Sequence, residues 1–379
     1  MSGTSGARGT SGTSGTSGAR GTSGTSGTSG ASGTSGARGT ASADPGTGRE
    51  ATARRGGSGP EGDRRGRRPE PVPAGPYAPP PPASELTAVS ADGTSLHVES
   101  HGPADAPAVV LVHGWACNTA FWAAQVRDLA ADHRVITYDL RGHGRSDVPE
   151  GSAGYGTRQL GEDLAAVLAT ALEPGQRAVL AGHSMGGMTL MAAAGAEEVR
   201  EHAAAVLLVS TGGSRLLAES LLLPMRPGRM RSRGTGMVLN SRAPLGPVTP
   251  LSKRILKYGT MGRAATPEMV EAAARVVHAC PRGPRHHWSK VLGWLDLDAE
   301  ARRLTAPTAI LVGTADRLTP PVHSRRLAEA LPRCVEATEL PGLGHMVPLE
   351  APDEVNGRIR ELARRYVPAE GGAKGVASA

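Results

Sequence analysis

The stretch "VLAGHSMGGMTLM" (179–191) sets a single serine among glycines, at the seam between two apolar runs. The run before it, "AVLAGHS" (178–184), is short and continuously apolar, as in a strand buried on both faces. The run after it, "MGGMTLMAAAGAEEV" (185–199), begins a helix with no loop between. A strand that turns directly into a helix strains the backbone at Ser184, and only small neighbours such as Gly182 and Gly186 avoid clashes. Such a turn lifts the hydroxyl to the carboxyl end of a parallel sheet, where open α/β folds bind ligands. It also aims the Met185 N–H and the positive helix end at whatever the serine attacks. A bare Gly-x-Ser-x-Gly is a weak pattern, and its strand–helix context is what gives it weight.

Working outward, the same alternation recurs. "ELTAVSADGTSLHVESHG" (85–102) reads as two strands around an Asp92-Gly93 turn. Buried strands follow at "AVVLVHG" (108–114), "RVITYDL" (134–140), "AAVLLVSTG" (204–212), "APTAILVGTAD" (306–316) and "CVEATELPG" (334–342). Helical spacing marks 120–133, 158–172, 321–331 and 352–366. Doubly apolar strands alternating with helices mean a mostly parallel sheet covered on both faces. The alternation lapses over 213–299, a segment rich in Arg, Pro and Gly with amphipathic pieces, which reads as an inserted helical cap. The core is then 84–212 with 300–368, and 369–379 reads as a flexible tail.

Residues 1–83 are of another kind. The first 41 are almost wholly Thr-Ser-Gly units, and 69–83 are proline-rich. With nothing apolar to offset its ordering entropy, this segment reads as a disordered tail and an extended linker. It carries ten Arg against five acidic residues, a large part of the chain's net charge of +7. No aromatic residue is interleaved with those arginines, so specific nucleic-acid binding is not indicated. Cys117, Cys280 and Cys334 are too few and too scattered for a disulfide framework, which fits a reducing, cytoplasmic setting. Neither a signal peptide nor an apolar run long enough to span a membrane is visible.

A serine hydroxyl needs a base, and the base needs an orienting acid. Asp316, in "LVGTADRLTPP", and His345, in "LPGLGHMVPLE", both follow buried strands in the order Ser, Asp, His. The N–H of Trp115, just after "LVHG", is the second candidate oxyanion donor beside Met185. The Trp115 ring either lines the acyl pocket or packs. His143, His183, His286 and His287 read as packing or exposed residues, and Cys117 as a small core residue. No zinc-ligand spacing, phosphate loop or dinucleotide fingerprint is present, so no metal or cofactor is expected.

"HGW" (113–115), "YDLRGHGRSD" (138–147), "GHSMGG" (182–187), "GTADRLTP" (313–320) and "GLGHMVPLE" (342–350) resemble the landmarks of the α/β-hydrolase superfamily, in its order, over roughly 86–368. The resemblance implies an eight-stranded mostly parallel sheet and a cap inserted after the sixth strand. It points to the capped esterase, carbon–carbon hydrolase and cofactor-free haloperoxidase branch. Ser184 stands where haloalkane dehalogenases and epoxide hydrolases carry Asp, so the resemblance does not extend to their chemistry. The expected function is cleavage of an ester or related acyl bond in a small molecule through an acyl-enzyme on Ser184. Perhydrolase or cofactor-free haloperoxidase chemistry or carbon–carbon bond hydrolysis on the same triad, and a non-catalytic binding protein with a basic disordered tail, are the alternatives.

Overall fold

The structure, a computed structural model, describes residues 75–367. Residues 1–74 of the tail and linker reading for 1–83, and the whole tail reading for 369–379, lie outside the described residues. Strands β1 (Ser84–Val89) and β2 (Ser95–His101) form the expected hairpin, with Gly93 at φ +85° in its turn. β3 (Ala108–Val112) leads through a 3-10 turn (Thr119–Trp122) into helix α1 (Ala123–Leu129) and β4 (Arg134–Tyr138). There follow α2 (Thr157–Ala171), β5 (Ala178–His183), α3 (Met185–Ala192), α4 (Glu197–His202) and β6 (Ala203–Val209). The helix expected over 185–199 is thus two, because the backbone turns back on itself where Ala194 and Ala196 donate to Met191 and Ala193.

Between β6 and the next strand stand α5 (Leu216–Glu219), α6 (Arg229–Leu239), α7 (Pro250–Thr260), α8 (Pro267–Ala279), α9 (Arg282–Trp294) and the short α10 (Asp298–Ala301). The chain finishes with β7 (Thr308–Gly313), α11 (Pro321–Ala330), β8 (Cys334–Leu340), α12 (Val347–Glu350) and α13 (Pro352–Tyr366). The sheet order is β1-β2-β4-β3-β5-β6-β7-β8, with β2 antiparallel to both neighbours and every pair from β4 to β8 parallel.

The continuous apolar runs have a simple cause. Val110 and Leu180 point into a core shared with α2 and α3, whereas Val109, Leu111, Val179 and Ala181 point into the opposite core with α1 and α13. Both faces of each strand are dry, so alternation disappears. On α13 the buried residues Val355, Ile359, Leu362 and Ala363 recur at helical spacing. Pro352 opens that helix, and Asp353, Glu354, Arg364 and Arg365 complement its dipole.

The linker expectation needs correcting at its end. Ala78 is buried, its N–H bonds to the Gly75 carbonyl, its own carbonyl accepts from Arg127 Nε, and the Tyr77 hydroxyl donates to Leu349. Tyr77 gives this stretch an apolar body and a polar tip to anchor, which composition averaged over 69–83 concealed. Arg141, fully buried, makes a bidentate pair with Asp163 on α2 and reaches Asp92 at 2.7 Å, so one guanidinium ties the hairpin turn to the core.

Candidate active site

Ser184 sits between β5 and α3 at φ +51°, ψ −115°, a strained conformation for a residue with a side chain. Three contacts impose it. The Ser184 N–H donates to the Val209 carbonyl (2.9 Å), and the Ser184 carbonyl accepts from the Thr211 hydroxyl (2.7 Å) and the Met188 N–H (3.1 Å). The flanking glycines are required by space as well. A Cβ at Gly186 would lie 2.0 Å from the Val112 oxygen, and one at Gly182 would lie 2.6 Å from the backbone of Gly186. Met185 is the first residue of α3, so its N–H has no acceptor within the helix.

Asp316 follows β7 and His345 follows β8, both buried at the carboxyl edge of the sheet. The Asp316 carboxylate lies 2.8 Å from His345 Nδ1. A carboxylate only accepts, so Nδ1 carries the proton and the lone pair is left on Nε2. Burial pushes the Asp316 pKa upward. The His345 charge and the hydrogen bonds from His345 and Thr319 outweigh it, and the carboxyl is held below its ordinary range.

Thr319 was not singled out by the sequence. Its hydroxyl lies 2.8 Å from the Ser210 carbonyl, 2.9 Å from Asp316 and 3.2 Å from His345 Nδ1, while its N–H donates to Asp316 at 2.9 Å. Its spacing of three from an Asp in "DRLT" is the usual signal of a side chain closing a turn. His183 was read as a packing residue. Its Nε2 donates to the His345 carbonyl at 2.9 Å, and its ring lies 4.9 Å from the His345 ring. Burial, and then the neighbouring His345, lower its pKa to about 3, so it is neutral.

Two further neutral imidazoles shape the "HGWA" loop beside the serine. His113 Nε2 accepts from the Leu140 N–H, and Nδ1–H donates to the Gly114 carbonyl at 2.8 Å. His143 Nε2 accepts from the N–H of Ala116, a residue at φ +59°. That acceptance requires an unprotonated ring, and burial lowers the His143 pKa to about 4. The loop lies against the elbow, since a Cβ on Gly114 would stand 3.2 Å from Ser184 Cβ.

Ser184, His345 and Trp115 line one cavity of about 630 Å³, walled mainly by aliphatic side chains of α5, α6 and α7. Trp115 both lines it and donates its indole N–H to the Arg285 carbonyl of α9 (3.0 Å), so the two readings of this ring hold together. Trp288 of α9 is buried and donates to the Arg141 carbonyl at 3.1 Å, seating the same helix on the loop after β4. His286 bonds to Asn240, and His287 stacks on Tyr155, both away from the Asp316–His345 pair. Cys117 is buried with its thiol pKa raised by burial. Among the described residues the one grouping able to hold a metal is Glu85, His97 and Glu99, and Arg145 already pairs with both of its carboxylates.

A serine on a strained strand–helix turn thus shares one cavity with a carboxylate-held imidazole. The model of the alpha/beta hydrolase family matches residues 109–358, and the chain belongs to that family. It is 32% identical over 255 residues to a putative carbamate hydrolase, RutD, of Variovorax paradoxus, spanning 66% of this chain and 89% of that protein. It is 25% identical over 284 residues to 3-oxoadipate enol-lactonase 2 of Acinetobacter baylyi, spanning 73% of this chain and 96% of that one. A solved esterase from Thermogutta terrifontis shares the fold with a TM-score of 0.61 at 24% identity, covering 76% of this chain and all of that one. The chain is a hydrolase, and no helix among its described residues is long and apolar enough to cross a membrane.

Proposed function

We propose that the protein hydrolyses a carboxylic ester of a small molecule through an acyl-enzyme on Ser184. The Ser184 oxygen attacks the carbonyl carbon while its proton passes to His345 Nε2. Asp316 holds the imidazole in the useful tautomer and stabilises its charge. The electron pair displaced onto the carbonyl oxygen is received by the N–H groups of Met185 and Trp115, each worth about 3 kcal/mol of barrier. As that intermediate collapses, the C–O bond breaks and the alcohol leaves with the proton from His345. Water then attacks the acyl group, His345 takes its proton, and the acid and free Ser184 are regenerated.

The observation that carries this reading is the 2.8 Å bond between Asp316 and His345 beside the cavity that Ser184 lines. Relatives named as a carbamate hydrolase, an enol-lactonase and an esterase support acyl chemistry. The aliphatic walls suit an acyl chain rather than a sugar or a nucleotide. The sparse, unpaired cysteines favour a cytoplasmic setting. Ser184→Ala tests the proposal: release of nitrophenol from nitrophenyl esters should fall by about five orders of magnitude. Turnover equal to the wild type ends it.

A further inference from the structure

Helix α7 turns an apolar stripe outward. Leu251, Arg254, Ile255 and Tyr258 recur at the spacing of one helical stripe, and all four are exposed, Leu251 by 67% and Ile255 by 64%. On α6, Met230, Arg233 and Met237 form a second such stripe, with the two methionines 71% and 76% exposed. Apolar stripes of this kind ordinarily face a core, and contiguous exposed apolar surface marks a docking site.

The charge around them is one-sided. From Ser220 to Pro267 the chain has nine Lys and Arg and not one Asp or Glu. Arg226, Arg229, Arg233, Arg242, Arg254 and Arg263 are exposed. Among the described residues none of those six is paired with a carboxylate. Cations interleaved with large aliphatic side chains match an anionic lipid surface, where the arginines meet headgroups and the apolar tips enter the acyl boundary. A second copy of the same face would set arginine against arginine, so self-association is disfavoured.

The same helices lead to the site. Met237 and Ile255 are largely exposed, yet both line the Ser184 cavity, so the cavity mouth is rimmed by the docking residues. We propose that the α6–α7 face seats the enzyme on anionic lipid bilayers, and that its substrate is a poorly soluble, lipid-borne ester that enters the cavity from that surface. The substrate half of this rests on the ester-hydrolase reading; the docking half does not.

The test is flotation of the full chain with phosphatidylcholine vesicles, with and without 30% phosphatidylglycerol, at about 50 and 500 mM salt, a range over which screening is strong. Two double variants avoid the cavity lining: Met230→Ser with Leu251→Ser, and Arg229→Glu with Arg254→Glu. The wild type and Ser184→Ala should bind only the anionic vesicles, more weakly at high salt. Each double variant should bind at least tenfold more weakly while keeping wild-type hydrolysis of a soluble short-chain ester. The docking proposal is overturned by a wild type that does not float, or by variants that float like the wild type, since the basic N-terminal segment would then be responsible. Loss confined to the charge pair overturns apolar insertion, and a dimer dissolved by the apolar pair assigns the face to a second copy instead. Binding without faster hydrolysis of vesicle-borne esters than of dispersed ones overturns the substrate half alone.

Discussion

The imidazole of His183 donates from Nε2 to the backbone carbonyl of His345 at 2.9 Å, so the residue before Ser184 holds the loop that carries the His345 ring. The elbow and the His345 loop come from β5 and from the turn after β8, and this contact couples them across the sheet edge. His183→Leu should lower kcat about tenfold, the worth of one lost hydrogen bond, with KM little changed. His183→Gln, which keeps a donor, should recover most of the rate. Equal kcat for the Leu and Gln variants, measured beside their melting temperatures, would show that His183 only packs.

Asp316 and Thr319 act on the same imidazole in different degree. Asp316→Asn leaves shape intact but removes the acceptor that sets the tautomer, and kcat should drop by about 10⁴. Thr319→Val deletes the hydroxyl shared by Ser210, Asp316 and His345, and a loss of about tenfold is expected. Steady-state kinetics on one soluble ester orders the two; a Thr319 loss as large as that of Asp316 would contradict this division of roles.

Gly186 has no room for a side chain, since a Cβ would stand 2.0 Å from the Val112 oxygen and 2.6 Å from its carbon. Both are backbone atoms of a central strand, so nothing flexible yields. Gly186→Ala should cost at least about 3 kcal/mol, the upper range for overpacking, and should read out in denaturant unfolding. A change below about 1 kcal/mol would mean that the elbow relaxes more freely than its contacts imply.

Acid should weaken the fold through its buried histidines. In the unfolded chain these imidazoles take up a proton near pH ~6.5. Folded, burial keeps His143 and His323, a buried residue of α11, neutral down to about 4 and His183 to about 3. Between those values the unfolded state binds more protons, so stability falls as pH drops from about 6.5 toward 4 and is level above it. Melting temperatures from pH 8 to pH 4 check this; a flat curve through pH 5 would refute it.

Arg285 lines the cavity, is buried, donates to the Ala243 carbonyl, and has no carboxylate partner among the described residues. A buried cation favours a ligand that brings the missing charge. Esters whose acyl chain ends in a carboxylate should therefore lose at least about tenfold in kcat/KM with Arg285→Met, a charge-assisted bond's worth, while neutral esters of equal length change little. Parallel losses on both series would assign Arg285 to structure alone.

Much of this molecule was legible along the chain. Strand–helix alternation determines the parallel sheet, because doubly buried strands can only be covered by the helices between them. Gly182, Ser184 and Gly186 reveal the elbow, because few backbones tolerate so tight a turn. The order of Asp316 and His345 after buried strands brings them together, since parallel strands deliver their carboxyl ends to one edge. What a linear reading could not supply were contacts set by distance in space: Thr319 behind the imidazole, His183 on the His345 carbonyl, and the indoles of Trp115 and Trp288 that seat α9. The outward stripe of α7 belongs there too. Periodicity says that a helix has an apolar side, but only packing decides which way that side faces.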